Sequence, residues 1–328
     1  MKDIIHLERR TKKMKIIICG ATGFIGKNLM KYFCDDKNEV IAIYNKKPPL
    51  AEFELKAKWV KADLRNPQVL SEYLPGTDLF LQFAATTSGS KDITERPYIH
   101  VTDNAVMNSY LLREAFEAKV KHFIFPSCTV MLQSKEFQSE EDWDPRKEIN
   151  KNYFGVGNTK VYIEKMCKFY SDLGLKTTVI RHSNVFGQND KFDLEKSHVL
   201  GATIKKVLTA SKGDIINVWG SGQARRDFVF VLDLINFILC AYKNQKNSFG
   251  LYNCGMGYSI SINELVKKII LVSKKELSIK NDLSKPDLPT ALSLDCTKAK
   301  NEIKWTNNTD FDEALAITYN WALENLND

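Results

Sequence analysis

The sequence predicts an α/β protein: a doubly wound parallel sheet with a smaller C-terminal lobe. Short runs of β-branched residues alternate with segments whose apolar residues recur at helical spacing. A glycine-rich turn joins the first such run to the first helical segment. Alternating strands and helices are typical of a parallel sheet with crossover helices on its faces. From about residue 184 the alternation becomes less regular, which indicates a second lobe.

The β-branched and apolar runs predict six or seven strands, among them 15–20, 39–44, 58–61, 78–83, 122–125 and 176–181. Helical spacing predicts helices after the glycine turn and over 104–118, 161–173, 199–211 and 311–324. We therefore predict a flexible extension at 1–13, a first domain at 14–183 plus about 229–258, and a lobe made of 184–228 and 259–328.

Composition narrows the class of protein. The chain has 328 residues, of which 44% are apolar and 27% charged, as in ordinary soluble globular proteins. No apolar run is long enough to span a membrane, and the N-terminal segment carries charges where a signal peptide is apolar. The seven cysteines form no C-x-x-C pair, so we expect a cytoplasmic protein with no metal site. Much of the net charge of +7 lies in the first residues, and we expect no nucleic-acid partner.

The glycine turn predicts a dinucleotide site. Its three glycines follow the pattern G-x-x-G-x-x-G, directly after a strand and at the start of a helix. Glycines there allow a sharp turn and a close backbone approach, and the helix N-terminus attracts a pyrophosphate. This is the pattern of a Rossmann-like domain. The residues predicted to bind the pyrophosphate are Gly20, Thr22, Gly23, Phe24, Ile25 and Gly26.

The adenosine end of the cofactor is predicted from the next two strands. After the second strand, where a carboxylate would bind a ribose 2′-hydroxyl, the chain has Asn45, Lys46 and Lys47. Two cations without a carboxylate favour NADP(H) over NAD(H), although both lysines are also compatible with a solvated loop. Asp63 and Leu64 follow the third strand, where they either meet the adenine or simply end the strand.

Several further segments, in this order along the chain, resemble the extended short-chain dehydrogenase/reductase family of NAD-dependent nucleotide-sugar epimerases, dehydratases and reductases. The most similar branch is GDP-L-fucose synthase. The segments are FAATTSGS (83–90), FIFPSCTVM (123–131), GNTKVYIEKMC (157–167), NVFGQNDKFDLEKSHV (184–199), VWGSGQARRDFVFVLDL (218–234) and SKPDLP (284–289). The resemblance covers the chain from Met14 onward and implies that the C-terminal lobe binds a nucleotide sugar.

The resemblance also implies roles for single residues. Ser127 would hydrogen-bond the sugar oxygen that is oxidised or reduced, and Lys160 would hold the nicotinamide ribose. Ala84 and Ala85 would border the cofactor. A strand-end serine lies where parallel sheets bind ligands, and a lysine at a helix start donates to hydroxyls. Structural roles, as a strand-end serine and a solvated lysine, are the alternatives.

The family's Tyr-x-x-x-Lys signature is broken in this chain, because Val156 stands where the tyrosine would be. Valine cannot transfer a proton, and loss of a positioned acid or base costs about 10²- to 10⁴-fold in rate. Three alternatives stay open. Tyr153 could reach the site through an altered loop; Ser127, Thr129 or His198 could act through water; or the site could be degenerate or engineered.

The remaining site residues also come from the resemblance. His198 matches a family histidine of the epimerisation step, whereas the family cysteine falls on Thr129, which is a poor base. Redox chemistry at C4 is therefore favoured over full epimerisation. On the nucleotide side, the resemblance assigns sugar or phosphate contacts to Asn184, Lys206 and Arg226, and a guanine contact to Trp219, for which a place in the core is the alternative.

Together these features predict a cytoplasmic NAD(P)-dependent oxidoreductase acting at C4 of a GDP-hexose or GDP-heptose in surface polysaccharide biosynthesis. It would be a 4-keto reductase or a 4-dehydrogenase, and a homodimer through the helices near 104–118 and 156–173. A 3/5-epimerase and a non-catalytic sugar-nucleotide binder are the alternatives.

Overall fold

A computed structural model describes residues 13–87, 96–194, 197–285 and 290–326. The strands are Met14–Cys19 (β1), Asn38–Tyr44 (β2), Lys58–Lys61 (β3), Leu79–Gln82 (β4), Phe123–Pro126 (β5), Lys135–Gln138 (β6), Thr177–His182 (β7), Asn184–Phe186 (β8), Ile215–Trp219 (β9), Arg225–Arg226 (β10), Phe228–Phe230 (β11), Phe249–Cys254 (β12), Ile260–Ser261 (β13), Ser278–Asp282 (β14) and Leu292–Leu294 (β15). The α-helices are Phe24–Phe33 (α1), Tyr98–Glu117 (α2), Phe154–Asp172 (α3), Val199–Thr209 (α4), Val231–Asn244 (α5), Ile262–Ser273 (α6), Thr297–Ile303 (α7) and Phe311–Asn325 (α8).

Seven strands form one parallel sheet in the order β3-β2-β1-β4-β5-β7-β12. The chain moves outward from β1 to β3, then returns to β4 and moves outward on the other side. The order of the strands therefore reverses between β1 and β4, and in such sheets the crevice at this reversal binds the ligand. The predicted doubly wound parallel sheet is confirmed.

Strand β1 explains why the sheet forms here. Ile16 and Ile18 pack into the core on one face, and Ile17 and Cys19 pack into the core on the other. In the sequence, strands buried on both faces appear as continuous apolar runs rather than as alternating apolar and polar residues. Helices α1, α5 and α7 cover the first face, and α2 and α3 cover the second.

A third apolar core lies in the second lobe and joins α4, α6 and α8 to strands β8, β9 and β11. One part of the predicted lobe departs from this arrangement. Ala299, Ile303 and the fully buried Trp305 pack into the first core, beside α5. The Trp305 indole donates to the Asp233 backbone carbonyl at 3.1 Å. Residues 297–305 therefore belong structurally to the sheet domain.

The two long helices begin earlier than predicted, at Tyr98 rather than 104 and at Phe154 rather than 161. Pro97 precedes α2, and a 3₁₀ turn at Lys151–Tyr153 leads directly into α3. Apolar spacing alone does not detect such starts. The predicted extension at 1–13 lies outside the described residues except for its last position. Within the described ranges, no helix is long and apolar enough to cross a membrane.

Candidate active site

The glycine turn forms a tight cradle at the reversal between β1 and β4. Gly20 has φ +75°, and a Cβ there would lie 2.7 Å from the Phe83 carbonyl oxygen and 2.8 Å from the Ala84 nitrogen. A Cβ on Gly26 would collide with the Gly20 carbonyl. Both positions therefore require glycine, and the turn brings the start of α1 against the loop after β4.

The start of α1 has the properties of a pyrophosphate site. Gly23 precedes the helix with no side-chain cap, and the first turn carries no acidic residue. The N–H groups of Phe24, Ile25 and Gly26 have no partner within the helix, so they face outward with the positive end of the helix dipole. Ala84 and Ala85, predicted to border the cofactor, directly follow β4 on the same edge of the sheet. These residues fit a dinucleotide.

At the adenosine end, Asp63 is held by an ion pair. Its carboxylate lies 2.6 Å from Arg65, which also approaches Asp103 at 3.3 Å. Hydrogen bonding to Arg65 lowers the pKa of Asp63 to about 2, and Lys46 lowers it slightly more. Asn45 and Lys46 are exposed just beyond β2, and Leu64 is buried beyond β3.

A third cation at this end was missed by the sequence analysis. Lys27, in the first turn of α1, has a lowered pKa because of burial and then because of the charge of Lys47, an effect partly opposed by Glu52. Lys27 and Lys47 therefore approach each other although they are far apart in the sequence. The only sequence signal was a lysine directly after the last glycine.

Ser127 directly follows β5. The side chain is fully buried, and its hydroxyl donates to Glu164 at 2.5 Å. Glu164 is paired with the buried Arg181 at 2.7 Å. The serine thus belongs to a buried polar cluster with Glu164 and Arg181.

The side chain of Lys160, from α3, reaches the carboxyl end of β5. Its ammonium group donates to the Pro126 carbonyl at 2.8 Å and lies 4.6 Å from the centre of the Phe125 ring. Burial lowers the pKa of Lys160, and Cys128 and Glu164 oppose that shift. This position beside the crevice is compatible with the predicted contact to a nicotinamide ribose. Thr129, two residues beyond Ser127, lies half-buried in the turn that follows β5.

Val156 lies one helical turn before Lys160. It lines a cleft of about 450 Å³ between the starts of α2 and α3, together with Tyr98, His100 and Phe154. Tyr153 does not line this cleft. It raises the pKa of Arg226, against the larger lowering by burial.

His182, which the sequence analysis did not single out, lies where the two halves of the site meet. It is the last residue of β7, which neighbours β5 in the sheet. Its Nδ1 lies 2.8 Å from the Ser183 carbonyl oxygen. Burial, and after it the charges of Lys160 and His198, lower the pKa of His182 to about 4. Lys160 from the sheet domain and His198 from the lobe thus both lie within electrostatic reach of this imidazole.

His198 directly precedes α4 and makes no side-chain cap to that helix. The surrounding protein, and then the charge of Lys191, lower the pKa of His198. As a residue, His198 is exposed. Its charge lowers the pKa of His182.

The residues predicted to contact the nucleotide differ in their burial and in their hydrogen-bond partners. Arg226 is half-buried and donates to the Thr290 hydroxyl at 2.5 Å. Lys206 donates to the Asn217 carbonyl at 3.1 Å, and the Asn184 amide donates to the Asp227 carbonyl at 2.8 Å. Trp219 is 64% exposed, so the alternative of a core tryptophan is wrong.

Three parts of the predicted site lie outside the described residues. These are 88–90 of the segment after β4, 195–196 of the segment before α4 and 286–289 of the segment SKPDLP. Beside the last of these, Lys285 lies 5.7 Å from the centre of the Trp219 ring. The described residues contain no group of three or more histidine, cysteine or acidic side chains able to hold a metal ion.

With this geometry established, comparison with known proteins identifies the family. The model of the NAD dependent epimerase/dehydratase family matches residues 16–255. The chain belongs to this family. As a member of the NAD dependent epimerase/dehydratase family, it uses a nicotinamide dinucleotide, in agreement with the predicted cofactor and with the cradle at the glycine turn.

Similar proteins extend over nearly the whole chain. A GDP-L-colitose synthase of Yersinia pseudotuberculosis is 26% identical over 96% of this chain and 99% of its own length. A GDP-L-fucose synthase of Azorhizobium caulinodans is 25% identical over 95% of this chain and 97% of its own length. Among solved structures, a UDP-glucose 4-epimerase of Thermotoga maritima superposes with a TM-score of 0.82 at 23% identity, covering 95% of this chain and 100% of that one. The predicted resemblance to the family is confirmed. The likeness to the UDP-glucose 4-epimerase shows the fold alone.

Proposed function

We propose that this protein is an NAD(P)-dependent oxidoreductase that acts at C4 of a GDP-linked hexose or heptose. It works as a 4-keto reductase or as a 4-dehydrogenase, and it serves surface polysaccharide biosynthesis. The GDP-sugar specificity is supported by the two relatives described above, which match this chain over nearly its full length.

One observation carries the proposal. Lys160 contacts the Pro126 carbonyl at the end of β5, His182 ends the neighbouring strand β7, and the charges of Lys160 and His198 both lower the pKa of His182, which supports one crevice shared by the cofactor side and the lobe side. A sugar bound there lies between the dinucleotide cradle and the cations of the lobe. When bound, the nicotinamide exchanges a hydride with C4.

The chain's own residues bind and orient the substrate in this proposal. Arg226 and Lys206 contact the diphosphate, and the exposed face of Trp219 stacks on the guanine. Lys160 binds the nicotinamide ribose, and its charge favours the deprotonated form of neighbouring groups. This arrangement holds C4 beside the nicotinamide, and such positioning is a large part of catalysis of a two-substrate reaction.

The cofactor is NADP(H) rather than NAD(H) in this proposal. Lys27, Lys46 and Lys47 surround the position of the adenosine ribose, and the loop after β2 carries no acidic residue before Glu52. A ribose 2′-phosphate offsets the mutual repulsion of these lysines, whereas a 2′-hydroxyl does not.

The decisive experiment measures NADPH and NADH oxidation at 340 nm with GDP-4-keto-6-deoxymannose, for the native chain and for Val156→Tyr. We expect the native chain to turn over, which requires a proton-transferring group other than a residue at position 156. Activity only in the tyrosine variant would favour a sugar-nucleotide binder. If both chains are silent with this substrate and with a GDP-heptose in the oxidative direction, the proposed function is wrong.

A 3/5-epimerase is the second candidate, favoured by His198, which precedes α4 of the lobe and whose charge lowers the pKa of His182. Such an enzyme exchanges the hydrogen at C3 or C5 with solvent. Incubation with the 4-keto sugar in D₂O, followed by NMR of the product, separates the two. Deuterium at C3 or C5 indicates epimerisation, and deuterium-free carbons indicate redox chemistry alone.

We also propose a homodimer through α2 and α3. These helices pack side by side on one face of the sheet, and Tyr162 and Phe169 of α3 stay exposed. Light scattering after gel filtration gives the mass, and Phe169→Glu should shift it toward one chain of 37.5 kDa.

A further inference from the structure

Val156 leaves the predicted site without the hydroxyl that would exchange a proton with the sugar oxygen. The surrounding residues limit which group can replace this hydroxyl. Ser127 is buried and donates to Glu164. Tyr153 does not line the cleft beside Val156. His182 is half-buried and lies at the carboxyl edge of the sheet, one strand from Lys160's partner carbonyl at Pro126.

The hydrogen bond of His182 fixes which ring nitrogen is reactive. The Ser183 carbonyl oxygen only accepts, so Nδ1, at 2.8 Å from it, carries the hydrogen in the neutral ring. Nε2 then holds the lone pair. A neutral imidazole in this tautomer is a proton acceptor whose orientation is set by the backbone.

The charges around the imidazole keep it neutral. Lys160 from α3 and His198 from the segment before α4 are the charged groups that influence it, and both disfavour a second positive charge. Burial acts in the same direction. Near neutral pH, the ring is therefore neutral and Nε2 carries a lone pair.

We propose that His182 accepts the proton of the sugar 4-hydroxyl during oxidation and returns it during reduction, in place of the hydroxyl absent at Val156. This inference rests on the proposed function. In the oxidative direction the O4–H bond breaks and its proton goes to Nε2, the C4–H hydride goes to the oxidised nicotinamide, and the C4=O bond forms. The imidazolium then releases its proton to water.

The kinetic test is a cycle of four chains: native, His182→Gln, Val156→Tyr and the double variant. Glutamine keeps a donor for the Ser183 carbonyl but does not titrate. We expect His182→Gln to lower kcat by about 10²- to 10⁴-fold with KM changed less than threefold. In the double variant, Val156→Tyr should raise kcat at least tenfold above that of His182→Gln. A merely structural defect at position 182 would not allow this rescue.

The inference is overturned if His182→Gln keeps its kcat within twofold, if the tyrosine does not rescue it, or if Val156→Tyr is active while the native chain is not. In the first two cases the proposed function survives, whereas in the third the native chain is a sugar-nucleotide binder and the proposed function fails as well. If all four chains are silent in both directions, the proposed function itself fails, and this role of His182 fails with it.

A measurement without turnover tests the same imidazole. Nitrogen-15 histidine NMR of the native chain should show a neutral ring protonated at Nδ1 that is absent from His182→Gln. We expect GDP-mannose to shift its Nε2 resonance, and GDP alone to leave it unchanged. An Nε2-protonated ring, or equal effects of the two ligands, would contradict a contact with the sugar.

Discussion

At the residue scale, a histidine in the core limits stability in acid. His122 lies just before β5, and its Nε2 is 2.7 Å from the Thr178 hydroxyl. That hydroxyl donates its own hydrogen to Gln245, so Nε2 must be the donor to it. Nδ1 has no hydrogen-bond partner among the described residues. Burial, and then Lys176, lower the pKa of His122 to about 3.

This shift predicts a pH dependence of stability. The unfolded chain binds a proton on this histidine below about pH 6.5, whereas the folded chain does not. The contribution of His122 to the free energy of unfolding is therefore constant above about pH 6.5. Below that pH it falls by about 1.4 kcal/mol per pH unit. Urea unfolding of the native chain and His122→Gln should give a difference in free energy that shrinks by about 2 kcal/mol between pH 7 and pH 5. An unchanged difference would show that the imidazole is already charged in the core. Asp190 and Asp227, whose pKa values burial raises to about 7, act in the opposite direction but are common to both chains.

At the residue scale, too, the sequence predicted the positions of site residues better than the orientations of their side chains. Lys160 lies at the edge of the crevice, as its place at the start of α3 suggested. Ser127 turns inward because Glu164, one helical turn after Lys160, captures its hydroxyl. His182 carries no motif, and its importance appears only when β7 and α4 are brought together.

At the element scale, the sheet was predictable because its strands are buried on both faces and therefore appear as uninterrupted apolar runs. Strand β3 was predicted with its observed bounds, 58–61. Helix starts were less predictable, since Pro97 and the turn at Lys151–Tyr153 extend α2 and α3 beyond their apolar spacing. The place of α7 depends on Trp305, whose partner carbonyl at Asp233 is far away in the sequence.

The element scale also carries the test of cofactor preference. Lys47, in the loop after β2, and Lys27, in α1, approach each other at the adenosine end. We expect Lys47→Ala to raise the Kd for NADPH about tenfold, because a charge-assisted contact to a phosphate is lost, and to leave the Kd for NADH within twofold. Lys37→Ala is the matched control, because Lys37 precedes β2 and lies about 20 Å away at the other end of that strand. Fluorescence titration measures both constants. Equal losses for the two cofactors would contradict a 2′-phosphate contact.

At the scale of the whole molecule, the site lies between two separately packed bodies. The sheet domain has a core on each face, and the lobe has its own core around α4, α6 and α8. In the proposed function, a dinucleotide binds the first body and the nucleotide of the substrate binds the second. Each ligand should therefore stabilise the folded chain through its own set of residues.

Two adjacent arginines test this division. Arg226 is half-buried at the predicted diphosphate site, whereas Arg225 lies 3.4 Å from both Glu136 and Glu264 and serves the packing of the lobe. At a concentration one hundred times its Kd, GDP should raise the free energy of unfolding of the native chain by about 2.7 kcal/mol, and NADPH should do the same. In Arg226→Gln we expect the effect of GDP to fall by more than half and that of NADPH to remain. In Arg225→Gln the starting stability should fall while both ligand effects remain. Thermal unfolding with each ligand gives these values, and a loss of the NADPH effect in Arg226→Gln would mean that the arginine supports the fold of the whole molecule rather than one half of its site.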